Sequence, residues 1–510
     1  MNKNAIALIL FAIFWTSLVI YTGTLTSGYH FTDDHEIISI NKNIDDNGIV
    51  NATKSILKKD LDIRFRPFYY LHRITFVKFF DTNFLLWSIY NIVLAIFTSY
   101  FLFLFIYRQG YKFIHALIFP FFTLIGAQSA IWWRLGPNET IGFFLLSASL
   151  VFLANSIFRK KKYQLVVSVV FLFLASLSKE SFTMFIPAYI LLLLWFNYQC
   201  GTDKNMISIV RGNIGLIISL LAVLLIEAYI IIFVVGTNKI GYAGIDNSFN
   251  VINFINYIYL FLSQNPYIYL MLIGMFLLFQ NVTSWKLIFT VDFIKLIPYI
   301  FNIVVLLAII FPQFLLYNKS GIFERYLLPL NFGLSLFVIF LLKNIYENNS
   351  ITLFSKRAFT ILILWVIYSF LKNDTIPNAK LFAKEGALTN KFFSTIIDHT
   401  ITNDSVLIVL NGNENYEWGH SINQYLNYVA NRKHISFYKV DSQLNNDFEK
   451  NLDIQFSKIF DPIIIKEINS NFSSIAILPF STNIAIKTKL DSNIAYQRDD
   501  FEYFTVYNKK

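Results

Sequence analysis

The chain has 510 residues, of which 55% are hydrophobic and only 15% charged, a balance that a soluble interior of this size cannot hide. Its net charge of +10 is spread between apolar runs and not gathered into one basic stripe, which argues against a nucleic-acid partner. Single Cys200 excludes an internal disulfide and any cysteine-built metal site.

The apolar runs are apolar on all sides, so they read as helices and not as barrel strands, whose residues alternate. The first, Ala5 to Tyr21, follows Lys3 and lacks a small-x-small cleavage pattern after it, so it is expected to stay as a permanent helix. Further helices are expected at 84–106, 113–131, 139–157, 163–178, 182–198, 213–235, 267–284, 293–317, 325–343 and 358–371. Together they make about eleven spans. Between residues 249 and 279 an interfacial amphipathic helix and a spanning one fit the pattern equally well.

Lys and Arg collect in short cytoplasmic loops, and here they fall at every second loop: Arg108 with Lys112, Arg159 to Lys162, Lys204 with Arg211, Lys343, and Lys356 with Arg357. With Lys3 also inside, the N-terminus is cytoplasmic and a first external loop covers 23–66. An odd number of spans then carries the tail to the opposite side. After Pro377 the pattern changes to short β-rich runs, at 405–410, 435–440, 473–480 and 503–508, alternating with polar, helix-like stretches. The expected organisation is a transmembrane domain over 1–373 and a small extracytoplasmic α/β domain over 374–510, in a multi-pass protein of the cell membrane.

The external loops hold polar clusters where ionisable side chains are costly. The first is Phe31-Thr32-Asp33-Asp34-His35-Glu36. Adjacent carboxylates beside a histidine can supply a general base or hold a divalent cation such as Mg or Mn, and an acidic loop can also be merely solvated. The second, Arg64 to Arg73, is basic and aromatic; its arginines suit a phosphate or a lipid headgroup. The third, Trp132-Trp133-Arg134-Leu135-Gly136-Pro137-Asn138-Glu139, reads as an aromatic belt with a tight turn. Lys179-Glu180 and Glu324-Arg325-Tyr326 sit between apolar stretches with almost no loop, where an ion pair must be paired or functional. Phosphate-loop, dinucleotide, His-Glu-x2-His zinc and Gly-x-Ser-x-Gly signatures are all absent from the sequence.

In order and in side, these clusters resemble the GT-C superfamily of integral-membrane glycosyltransferases, in particular the membrane half of the transmembrane-and-tetratricopeptide O-mannosyltransferases and bacterial family-39-like relatives. Asp33-Asp34 followed by Ile40-Asn41-Lys42-Asn43 looks like that family's acidic pair with a trailing Asn-Lys. Arg66-Pro67-Phe68 resembles its Arg-Pro-Leu, Arg134 to Glu139 stands where it has a Gly-Arg-acid turn, Lys179-Glu180 matches its Lys-Glu, and Glu324 to Pro329 resembles its Glu-Arg-x-Leu-x-x-Pro. Tetratricopeptide repeats are absent and the tail is α/β, so the protein acceptor of the eukaryotic enzymes does not carry over.

The resemblance implies a GT-C-like fold and a sugar donor carried on a polyprenyl phosphate. It implies Asp33 as base, with Asp34 orienting it or helping to bind a cation, a role in which His35 could share. It further implies leaving-group stabilisation from Arg66, Arg134, Lys179 or Arg325, and support from Glu139, Glu180, Glu324 and Tyr326. Inversion at the anomeric carbon and an envelope glycan or lipid-linked acceptor complete the expectation. A polysaccharide polymerase or ligase is the rival enzyme, and a lipid-linked sugar flippase or transporter the rival from another class.

Overall fold

The structure is a computed structural model of the chain. It describes residues 2–201, 205–236, 251–279, 293–317, 322, 324–411, 416–440, 472–478, 487, 490–491, 495–502 and 504–510. Lys204, Phe249, residues 280–284, Phe480 and Tyr503, all named above, lie outside the described residues. The chain divides into two compact units: the first comprises Met1–Thr22, Ser55–His72 and Ile89–Ala379, the second Gly23–Lys54, Arg73–Ser88 and Lys380–Lys510.

The first unit is helical. Among the described residues eight helices are long and apolar enough to cross a membrane, or nine if one bent pair counts as a single span. They include α1 (Lys3–Thr22), α4 (Phe84–Arg108), α6 (Glu139–Phe158) and Glu324–Glu347. Two more of the expected eleven are apolar helices of shorter length. The run expected over 113–131 is helical only as α5 (Phe113–Leu124), because Gln128 turns back and gives its amide to the carbonyls of Thr123 and Ile125, at 3.0 and 2.6 Å. Gly126 takes φ +118° at this exit, a conformation open to glycine. Twelve residues reach about 18 Å, well short of a bilayer core. The run expected over 163–178 ends likewise, as α7 (Tyr163–Ser176).

The stretch with two sequence readings is this bent pair. Phe254–Ser263 and Pro266–Phe279 meet at 69°, a break that falls where Pro266 lacks the N–H a continuous helix needs. Asn265 caps the second piece by accepting the Tyr267 N–H at 3.1 Å.

The second unit is α/β. Its five strands are β1 (Ser405–Asn411), β2 (His434–Val440), β3 (Ser474–Ile477), β4 (Tyr496–Asp500) and β5 (Thr505–Lys509), in spatial order β2-β1-β3-β5-β4. β1 pairs in parallel with β2 and β3, whereas β5 is antiparallel to β3 and β4. β1 is buried on both faces, as its unbroken Val-Leu-Ile-Val-Leu run demands. Val406, Ile408 and Leu410 face a core shared with Phe392, Phe393 and Ile396 of the helix Ile376–Asp398; Leu407 and Val409 face the other side. Into the first core the early part of the chain inserts Tyr29 and Ile38. β4 is a charged edge strand, which protects the sheet from further pairing, and for that reason its pattern did not read as a strand.

Basic loops at every second turn set the expected orientation. A reporter fused in the Arg159–Lys162 loop should behave as cytoplasmic and one fused after Lys510 as extracytoplasmic. A cytoplasmic signal at Lys510 would overturn that orientation of the tail.

Candidate functional site

Within the first unit, polar side chains from four separated segments gather at the ends of apolar helices. The break between α7 and α9 (Ile186–Cys200) reads Ser176-Leu177-Ser178-Lys179-Glu180-Ser181-Phe182-Thr183, and its hydroxyls compete with the helical ladder for backbone partners. Ser178 donates to the carbonyl of Leu174 at 2.8 Å. Lys179 is left in extended conformation, φ −165° and ψ 147°, ahead of the single helical turn Glu180–Thr183.

This break holds Lys179 in the interior, 1% exposed, and its ammonium pairs with the carboxylate of Glu139, the first residue of α6. A carboxylate at a helix N-terminus is favoured by the exposed N–H groups there. Glu139 also has the Arg325 guanidinium at 3.8 Å, and the Lys179 ammonium lies 4.6 Å from the Tyr326 ring centroid. Tyr326 stacks on Tyr317 at 4.5 Å. Burial pushes Lys179 down to about 8, with Glu139 opposing and Arg325 adding to the shift.

A second chain of contacts reaches the same carboxylate. Asp60 takes the Arg66 side chain through Nε at 3.1 Å and an η nitrogen at 2.8 Å, and also accepts the Arg66 backbone N–H at 2.7 Å. With its amide oriented by its neighbours, Asn138 accepts from Arg66 at 3.2 Å and donates to Glu139 at 2.9 Å. Arg66 lies over the rings of Tyr69 and Tyr70 and donates to the Tyr70 hydroxyl at 3.1 Å. Burial and the proximity of Arg66 lower the neighbouring Arg64. Arg134 and Glu324 form a forked pair nearer the surface, at 2.9 and 3.4 Å.

Of the residues singled out in the sequence, the first unit thus brings together Arg66, Arg134, Glu139, Lys179, Glu180, Glu324, Arg325 and Tyr326. Asp60 and Glu227 were not singled out, and Asn138 was named only within the Trp132 to Glu139 turn. Glu227 is a lone acid in the apolar helix Met206–Tyr229, 3% exposed, and its two oxygens accept from Ser176 and Thr183, each at 2.7 Å. With Gln313, which donates to the Ser181 carbonyl at 2.9 Å, it clamps both sides of the Lys179 turn. A lone ionisable residue in such a run was the available signal.

Asp33, Asp34 and His35 belong to the second unit. Asp34 is 1% exposed and accepts the His30 backbone N–H at 2.9 Å, with His30 Nδ1 at 3.4 Å. Burial raises its carboxyl, against these contacts. Asp33 is half-buried with φ +67°, and His35 Nδ1 lies 3.0 Å from Ser421 Oγ. Among the described residues no three His, Cys, Asp or Glu side chains gather as cation ligands. Asp34 is turned to His30 and His35 to Ser421, and no step below uses a cation.

No family model matches the chain, and no curated protein matches it significantly. Among solved structures the chain is similar to ArnT from Cupriavidus metallidurans in the apo state, at 11% identity over 98% of this chain and 97% of that one, with a TM-score of 0.45.

Lys179→Met should destabilise the protein by roughly 3–5 kcal/mol by stranding the Glu139 charge, read as a lowered unfolding temperature in detergent. Adding Glu139→Gln should recover most of that loss. A double variant no more stable than the single one would show that the pair is not the source.

Proposed function

We propose that this protein is a membrane glycosyltransferase of GT-C type that takes its sugar from a polyprenyl-phosphate donor and passes it to an envelope glycan or lipid-linked acceptor on the extracytoplasmic face. The observation that carries this reading is the convergence of Arg64, Arg66, Lys179 and Arg325, from separate segments, on one cluster at the ends of apolar helices. Burial lowers Arg64 and Lys179, and their cationic neighbours Arg66 and Arg325 add repulsion. An anion relieves that repulsion, and a phosphate joined to a long apolar tail brings its own hydrocarbon to a helix bundle of this composition.

Transfer to a hydroxyl needs a base for the acceptor proton and positive charge for the departing phosphate. Asp33 takes the first role: the acceptor oxygen loses its proton to the carboxylate and bonds the anomeric carbon as the carbon–phosphate-oxygen bond breaks, inverting that centre. Asp34, buried and tied to His30, is the orienting member of the pair. Lys179, Arg66 and Arg325 receive the charge that builds on the leaving phosphate. Glu139 holds Lys179 and Arg325 and Asp60 holds Arg66, so little reorganisation is needed during the reaction.

Asp33→Asn is a clean test, because asparagine tolerates φ +67° at least as well as aspartate. The variant should fold and insert normally and make no glycan product, scored by mass spectrometry of glycans from cells carrying it in place of the wild-type gene. Near-normal product would sink Asp33 as base.

Arg325→Gln should weaken binding of a polyprenyl phosphate by roughly ten- to hundredfold, the value of a charge-assisted contact at ~1.5–3 kcal/mol. Binding should also depend on pH. Lys179 in the free protein gives up its proton near 8, and the phosphate favours the protonated form. Affinity should fall by up to about tenfold per pH unit above that point. A stable Arg325→Gln protein with wild-type affinity, or affinity level to about pH 10, would remove these residues from the phosphate site.

A further inference from the structure

The second unit is made of the turn around Asp33 and of the C-terminal sheet together, and the turn is fastened to the sheet's helices at several points. Tyr29 donates its hydroxyl to the Ser421 carbonyl at 2.9 Å, from a ring buried against Phe393 and Tyr425. Ser421 lies in the helix Tyr416–Gln424 and is itself fully buried. Its hydroxyl donates to the Phe31 carbonyl. A serine has one hydroxyl proton and a carbonyl can only accept, so the contact with His35 at 3.0 Å must run the other way, from Nδ1–H to Oγ. Ser421 therefore holds the chain on both sides of Asp33, at Phe31 and at His35.

On the same stretch, Asn390 donates to the Ser27 carbonyl at 2.9 Å, and the His30 ring stacks on Phe382 at 3.7 Å. Between these fixed points Asp33 stands at φ +67°, a left-handed conformation that a side-chain-bearing residue adopts at some cost and keeps only when its surroundings determine it.

We infer that the C-terminal domain is the mount of the Asp33 carboxylate, with Ser421 a positioning residue that sets where that carboxylate stands through its bonds to Phe31 and His35. This rests on the reading of Asp33 as base. It gives the sheet domain a part in the transfer step, and the first loop is not a free-standing acidic loop.

The test uses the full-length protein with three readouts: glycan product per inserted molecule in cells, affinity of purified protein for a polyprenyl phosphate, and unfolding temperature. Ser421→Ala should lower product roughly tenfold, about one hydrogen bond's worth, and leave the affinity within about twofold of wild type. A control for general loosening is Arg432→Gln. Arg432 ties Ala430, Ile397 and Thr400 together by hydrogen bonds of 2.5–3.0 Å elsewhere in the same unit. That variant should lower the unfolding temperature at least as much and keep product per molecule.

Wild-type product from Ser421→Ala, or product from Arg432→Gln falling in step with its stability, overturns the positioning role. If Ser421→Ala does not insert, Tyr29→Phe keeps the ring in the core and removes only its hydroxyl. It should lower product in the same direction, and full product from it is then the refuting result. Asp33→Asn separates the two readings: an active Asp33→Asn protein sinks the base, whereas an inactive one beside a fully active Ser421→Ala protein sinks the mount alone.

Discussion

The interaction on which the first unit depends is the ion pair of Lys179 with Glu139, both side chains 2% exposed. Taking two charges out of water costs several kcal/mol for each ion, and their attraction repays it only when the remaining protons and lone pairs are also satisfied. The surroundings answer that demand from every side. Asn138 gives Glu139 a further donor, Arg325 a second cation, and the Tyr326 ring presents its negative face to the ammonium. At the helix break Lys179 is extended, and from there its ammonium reaches Glu139. Glu227 and Gln313 hold the break from two other helices, so the position of one ammonium is set by segments far apart in the chain.

The second unit solves a different problem with different means. Its acidic turn carries a residue in an uncommon backbone conformation, and a buried hydroxyl, an aromatic stack and an amide hold it. Asp34, the more buried of the two acids, is occupied in closing the turn onto His30. The two carboxylates thus differ by environment alone, although the sequence presents them as adjacent and alike.

What could be read from the sequence was local. Apolar runs of membrane length and the β-rich tail follow from composition and period, and the structure carries a helix or strand at each of these places where it is described. The early end of the helix at Leu124 was not legible, because it depends on how Gln128 turns back, and the edge strand at Tyr496–Asp500 was hidden by its charges. In the cluster, residues of unusual cost stood out, as Lys179 did. Which of them pair did not: Glu139 is 40 positions away from Lys179 and Glu324 190 away from Arg134. Asp60 looked like one more charge in a Lys-rich stretch until its carboxylate met Arg66. Nor does any local pattern reveal that the stretch around Tyr29 belongs to the core of the tail domain.

That last feature bears on how the protein is made. The partners Tyr29 and Ser421 are 392 residues apart. At a synthesis rate of roughly 5–20 residues per second, about 20–80 seconds pass between the emergence of one and of the other. For that time Tyr29 and Ile38, apolar side chains destined for a sealed interior, have none of the strands β1 to β5 to cover them. The nascent protein must therefore keep an unfinished loop soluble while the rest of the helices insert. Substitutions around residues 29–38 would then be expected to affect the yield of correctly assembled protein as well as its chemistry.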